Sequence, residues 1–145
     1  MFMPSMLNVD FASRPWVPLG RSKITTQFTG VSSNAIQDVT GLSFAATIPS
    51  WASQVRVELN PFFVSSTVAG GNAVQTFIRE GSTTLGGAYF INQTPNYSQS
   101  PSVLYEDSVT PGSHTYKASI SNSGTAVPSM GAAATTPSIL TVSCR

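Results

Sequence analysis

Gln54-Val-Arg-Val-Glu-Leu-Asn60 carries the clearest structural signal in the chain. Val55, Val57 and Leu59 fall on one side of an extended chain, and Arg56, Glu58 and Asn60 on the other. Side chains of a strand alternate between two faces. The run therefore reads as a strand with one face in a core and one in water. Pro61 follows, then the apolar triple Phe62-Phe63-Val64. Proline donates no ladder hydrogen bond, so the strand leaves the sheet edge or bends there.

The same period of two extends in both directions. Residues 23–29 alternate Ile24, Thr26 and Phe28 with Lys23, Thr25 and Gln27. A second run opens at Val39, and Gly41 breaks its phase, which predicts a bulge or bend. Leu42, Phe44, Ala46 and Ile48 then share a face up to Pro49. Val74, Thr76 and Ile78 oppose Gln75, Phe77 and Arg79, and Glu80-Gly81-Ser82 is a tight connection to residues 84–91. Residues 92–101 read as a polar loop and 102–106 as a short strand. Thr110-Pro-Gly-Ser113 is a turn, and His114, Tyr116, Ala118 and Ile120 alternate after it. Residues 125–137 read as a loop of small residues, and 139–144 as the closing strand. About eight strands with no helical period describe an all-β antiparallel β-sandwich, jelly-roll-like in its strand number.

Composition agrees. The chain has 145 residues, of which only 9% are charged, against a usual figure of about 25%. Ser and Thr together number 38, beside 11 Gly and 10 Pro, a mixture that favours strands and turns over helices. The formal net charge is +1, far from the basic balance that holds a phosphate backbone, so no nucleic acid is expected. No apolar run approaches the roughly 20 residues of a membrane helix, so no membrane insertion is expected. The first ten residues lack the pattern of a signal peptide. Asn92-Gln-Thr94 and Asn96-Tyr-Ser98 match the glycosylation acceptor pattern, which a chain so rich in Ser and Thr produces by chance.

Residues 1–21 differ from the rest. Met1, Phe2, Met3, Met6, Leu7, Phe11, Trp16, Val17 and Leu19 are interrupted by Pro4, Pro15 and Pro18. The segment reads as an irregular docking arm ahead of one sandwich domain over 22–145. Phe2, Phe11, Trp16, Val17 and Leu19 are its candidate assembly contacts, with Trp16 either the anchor of a partner contact or a ring packed on its own domain.

Catalytic chemistry has little to stand on. His114 is the one histidine, and it sits just past a turn at a strand start, with no Gly-x-Ser-x-Gly elbow in the chain. Glu106-Asp107 point to opposite strand faces and are too few for a calcium site. Cys144 is the one cysteine, which excludes an intrachain disulfide and a Cys-based zinc site. It is expected to be a lone strand-end thiol that serine can replace with little effect. No metal, no cofactor and no enzymatic activity are expected. Phe62, Phe63, Tyr89, Phe90, Tyr97 and Tyr105 are candidates for a sugar-stacking surface, while Phe28, Phe44 and Phe77 read more simply as core.

The segment Thr110-Pro-Gly-Ser-His-Thr-Tyr-Lys117, a Gly-containing turn, a Gly/Ala-rich loop and Leu140-Thr-Val142 resemble small bacteriophage virion proteins of the minor tail or decoration type. Val39-Thr-Gly-Leu-Ser-Phe44, Val55-Arg-Val-Glu-Leu59 and Phe77-Ile-Arg-Glu-Gly81 with Thr84-Leu85 fit the same pattern, which spans residues 15–143. The resemblance implies a jelly roll of the kind found in tumour-necrosis-factor-like trimers and capsid cement proteins, and it carries no catalytic motif. It leads to the expectation of a non-enzymatic structural component of a virion, assembled in the host cytoplasm. The expected form is a minor tail protein built as a homo-oligomer, a trimer by preference, among other phage structural proteins. The alternatives are a capsid decoration protein and a module that binds a host cell-surface glycan.

Overall fold

The computed structural model describes residues 14–31, 34–67, 73–91, 98–123 and 126–145. Among them the chain forms strands and no helix. In order these are β1 (Val17–Ile24), β2 (Phe28–Thr29), β3 (Gln37–Ile48), β4 (Gln54–Asn60), β5 (Phe63–Ser66) and β6 (Ala73–Glu80). They continue as β7 (Thr83–Ile91), β8 (Ser98–Gln99), β9 (Val103–Ser108), β10 (Gly112–Asn122), β11 (Pro128–Gly131) and β12 (Ser138–Cys144).

The longer strands make two antiparallel sheets, ordered β1-β12-β4-β9 and β3-β10-β6-β7. Chain neighbours mostly lie in opposite sheets, while the first and last long strands pair with each other. That order is the jelly roll's. A third, smaller sheet runs β2-β11-β5-β8.

The decisive stretch behaves as its pattern requires. Val55, Val57 and Leu59 are buried, and Arg56 and Glu58 on the other face are half-exposed. Against them from the facing sheet come Val74, Ile78, Tyr116, Ala118 and Ile120, all buried. Full burial of each such apolar side chain stabilises the fold by about 1.5–3 kcal/mol. Beyond Pro61 the chain does leave the sheet, and Phe63–Ser66 pairs with β11 instead. The expected bulge is also present. Gly41 has φ 85°, and the pairing of β3 with β10 jumps there, from Lys117 opposite Ser43 to Ser119 opposite Asp38.

Four readings are corrected. The strands begin at Val17, not near Lys23, so the boundary drawn between residues 21 and 22 falls inside β1. Pro18 is tolerated because β1 is an edge strand, with its register shift between Pro18 and Gly20. Residues 23–29 are not one strand: β1 ends at Ile24, and Phe28–Thr29 joins the small sheet. The supposed loop of small residues holds β11, buried along its length between β2 and β5. Alternation cannot reveal a strand covered on both faces. Finally, Cys144 is 0% exposed and belongs to the core.

Candidate functional site

The candidate contacts of the arm come out differently from one another. Phe2 and Phe11 lie outside the described residues. Trp16 is held by its own domain. The guanidinium carbons of Arg56 and Arg145 stand over its ring at 4.4 and 4.5 Å from the centroid. These are cation–π distances. Arg56 is itself fixed by Glu106, with Nε and Nη2 donating to Oε1 at 2.6 and 2.5 Å. Arg145 Nε donates to Gln54 Oε1 at 2.7 Å. Leu19 packs against the core, and Val17 is exposed opposite Cys144 in the β1–β12 ladder.

His114 is occupied at both ring nitrogens. Nδ1 lies 2.7 Å from Glu80 Oε1, and Nε2 lies 2.9 Å from the Thr110 carbonyl oxygen. Its ring also stacks on Tyr116, with centroids 6.1 Å apart. Both polar partners are acceptors and neither is a hydroxyl, so the arrangement anchors the Thr110–Gly112 turn and activates no nucleophile. Glu106 is used by Arg56, while Asp107 accepts from the Ser108 backbone N–H at 2.7 Å. No group of three His, Cys, Asp or Glu side chains gathers around a metal position among the described residues.

Among the described residues, the aromatic candidates do not form one surface. Phe62 and Phe63 meet edge-on at 5.4 Å beside the small sheet. Tyr105 is half-buried and packs against the core; burial, with Asp107 and Glu80 nearby, pushes its hydroxyl above the ordinary tyrosine range. Tyr97 and the Phe90 side chain lie outside what is described. Tyr89 is different. It stands on the outer face of β7 and is 71% exposed.

Around Tyr89 the outer face of the β6–β7 hairpin forms an open groove of about 250 Å³. Gln75 pairs with Tyr89 and Phe77 with Gly87, so those four residues share the face. Gly86 and Thr84 complete the lining used here. Gly87 is what lets Phe77 lie across the strand. A Cβ there would stand 2.9 Å from Phe77 Cδ1 and 3.1 Å from the Thr76 carbonyl oxygen. Phe77, expected in the core, is therefore half-buried on the outside, covering glycine backbone. The residue types alone hid this, yet the phase of β6 carried the signal. Phe77 alternates with Val74, Thr76 and Ile78, which point inward.

The next strand supplies polar support. Ser121 of β10 lies opposite Gln75, and its Oγ donates to Gln75 Oε1 at 3.2 Å. That contact turns the amide nitrogen of Gln75 away from Ser121, and it has no partner among the described residues. Further along, Asp38 gathers the charges of the face. It pairs with Arg79 at 3.2 Å and with Lys117, and it accepts from Ser119 Oγ at 2.7 Å. Burial pushes the Asp38 carboxyl up. Hydrogen bonds from Lys117 and Ser119, with the charges of Lys117 and Arg79, outweigh it and hold the group below the usual carboxylate range.

No protein-family model matches the chain, and no curated protein matches it. Its fold is similar to solved structures of low identity. Eiger, a tumour necrosis factor from S. frugiperda, matches with TM-score 0.49 at 10% identity, covering 91% of this chain and 94% of that one. The sugar-binding C-terminal domain of EclA matches with TM-score 0.44 at 9% identity, over 82% and 78%. A carbohydrate-binding module from the Cellvibrio mixtus lichenase 5A, in complex with cellotriose, matches with TM-score 0.38 at 16% identity, over 88% of each chain. None of the three is named as a virion protein. Likenesses this distant pass nothing about binding to the present chain, whose own surface has to carry that argument.

Proposed function

We propose that this protein is a non-enzymatic carbohydrate-binding module whose ligand lies in the groove on the outer face of β6–β7. One observation carries the reading: Tyr89, 71% exposed, lines one groove with Phe77 and the amide of Gln75 over a glycine floor. Sugars present flat C–H faces bordered by hydroxyl groups. An aromatic surface takes the apolar face, and an amide held by its neighbour takes a hydroxyl. On the Gln75 and Phe77 side the strand is held in place, since β6 is paired with both β10 and β7. A rigid platform binds without an ordering cost.

The expectation of a structural virion part rests on less. Trp16 and Leu19 pack on their own domain, which leaves Val17 as the exposed contact among the described candidates. A glycan-binding module is compatible with a place on a virion that meets a host surface. A glycan microarray probed with the protein and with Tyr89→Ala tests the reading. Binding of the native protein to a defined set of glycans, lost in the variant, is the expected result. Absence of binding to every glycan, or binding that Tyr89→Ala leaves untouched, overturns it.

A further inference from the structure

The reading of the groove as a sugar site can be carried to the class of sugar. The geometry points to an internal stretch of a neutral, linear polysaccharide as the ligand, and this inference rests on that reading. Two observations support it. The first is charge. Every side chain lining the groove is uncharged. Beyond the lining, Arg79 and Lys117 both pair with Asp38, and Arg79 also donates to the Ser82 carbonyl oxygen. An anionic sugar would find no cation in the groove itself to offset the loss of its hydration. A neutral one would meet the Gln75 amide and the Thr84 and Tyr89 hydroxyls instead.

The second observation is shape. The pairs Phe77–Gly87, Gln75–Tyr89 and Ala73–Ile91 follow one another along the hairpin. Four residues of strand separate the first pair from the last, about 13 Å. Tyr89 and Ile91 are both exposed on this face, at 71% and 53%, so the apolar strip continues past the groove. That length exceeds a single sugar ring. A strip that lies flat on a sheet accepts a chain passing over it and has no pocket to enclose a chain end.

Affinity electrophoresis of the whole chain tests this. The gels carry soluble neutral polysaccharides (a β-glucan, a xylan, a galactan and a mannan) or anionic ones (polygalacturonate and alginate), each at low and high salt. The expected result is retardation by one or more of the neutral polymers, unchanged by salt. Longer oligosaccharides should compete better than the monosaccharide. Tyr89→Ala should weaken retardation roughly tenfold, and Gln75→Ala severalfold. Thermal unfolding of both variants separates lost binding from lost folding. Retardation by the anionic polymers that fades with salt overturns the neutral class and leaves the sugar site standing. Competition by monosaccharide as strong as by oligosaccharide overturns the internal stretch alone. No retardation by any polymer overturns the sugar site together with this inference.

Discussion

Replacing Trp16 by alanine separates two roles for the start of the chain. The indole is half-buried and lies under two guanidinium groups at 4.4 and 4.5 Å. Each cation–π contact at an exposed site stabilises by about 0.5–1 kcal/mol. A half-buried indole also removes on the order of 100 Å² from water, or about 2.5 kcal/mol at 25 cal/mol per Å². The unfolded chain is already partly compact, which reduces the area term. The expected loss is about 2–4 kcal/mol. At roughly 3 °C per kcal/mol for a chain of this size, the melting midpoint should fall by about 6–12 °C. Far-ultraviolet circular dichroism on heating measures it. Arg56→Ala, Arg145→Ala and the corresponding double variants with Trp16→Ala isolate the two ring contacts as coupling energies. A midpoint that moves by less than about 2 °C would mean that the ring is not held by its own domain, and a lost oligomer in that same variant would show that the indole serves a partner.

Other outcomes follow from the same structure. Deleting residues 1–19 should destabilise the sandwich strongly, because it removes Trp16, the core-packed Leu19 and the first three residues of β1, with their pairing to β12; a truncated chain with native midpoint contradicts the pairing. Cys144→Ser should cost about 1–3 kcal/mol by placing a hydroxyl in an apolar interior, as denaturant unfolding will measure. Burial also pushes the Cys144 thiol up, so a thiol reagent should modify it only on unfolding, and rapid labelling of the native protein would contradict its burial. Asp38 has its folded pKa lowered, so its contribution to stability is present above the ordinary aspartate value near 4 and is lost as pH falls through the folded value. Asp38→Asn should flatten that acid limb of the stability curve, and an unchanged limb would sink the assignment.

Much of the fold could be read from alternation, because a strand with one wet face writes its period into the chain. That held for β4, β6, β10 and β12, where every second residue had to be apolar. It failed where the physics is not periodic. β11 is covered on both faces, and its Pro-Ser-Met-Gly carries no alternation. β1 tolerates Pro18 only because it lies at a sheet edge, and its edge position is decided by pairing with β12 at the far end of the chain. Trp16 looked like an anchor for a partner, and its arginine neighbours are 40 or more residues away in sequence, beyond the reach of any local pattern. Cys144 was read by its place near the chain end, although its parity with Leu140 and Val142 already placed it on the buried face. The groove was half legible. Tyr89 stood among the aromatic candidates, while Phe77 was assigned inward by type against its own strand phase. The pairing of Phe77 with Gly87, which makes the floor, exists only once β6 and β7 are in register.

A backbone amide NMR titration of the native chain with the neutral polysaccharide that retards it most, supplied as soluble oligosaccharides, locates the sugar site residue by residue. A ligand in the β6–β7 groove gives saturable shifts concentrated at Gln75, Phe77 and Gly86 to Tyr89, with Arg79, Asp38 and Lys117 little affected. Saturable shifts centred instead on Phe62 and Phe63, or around Trp16 and Arg145, would place the ligand elsewhere and overturn the groove as the site.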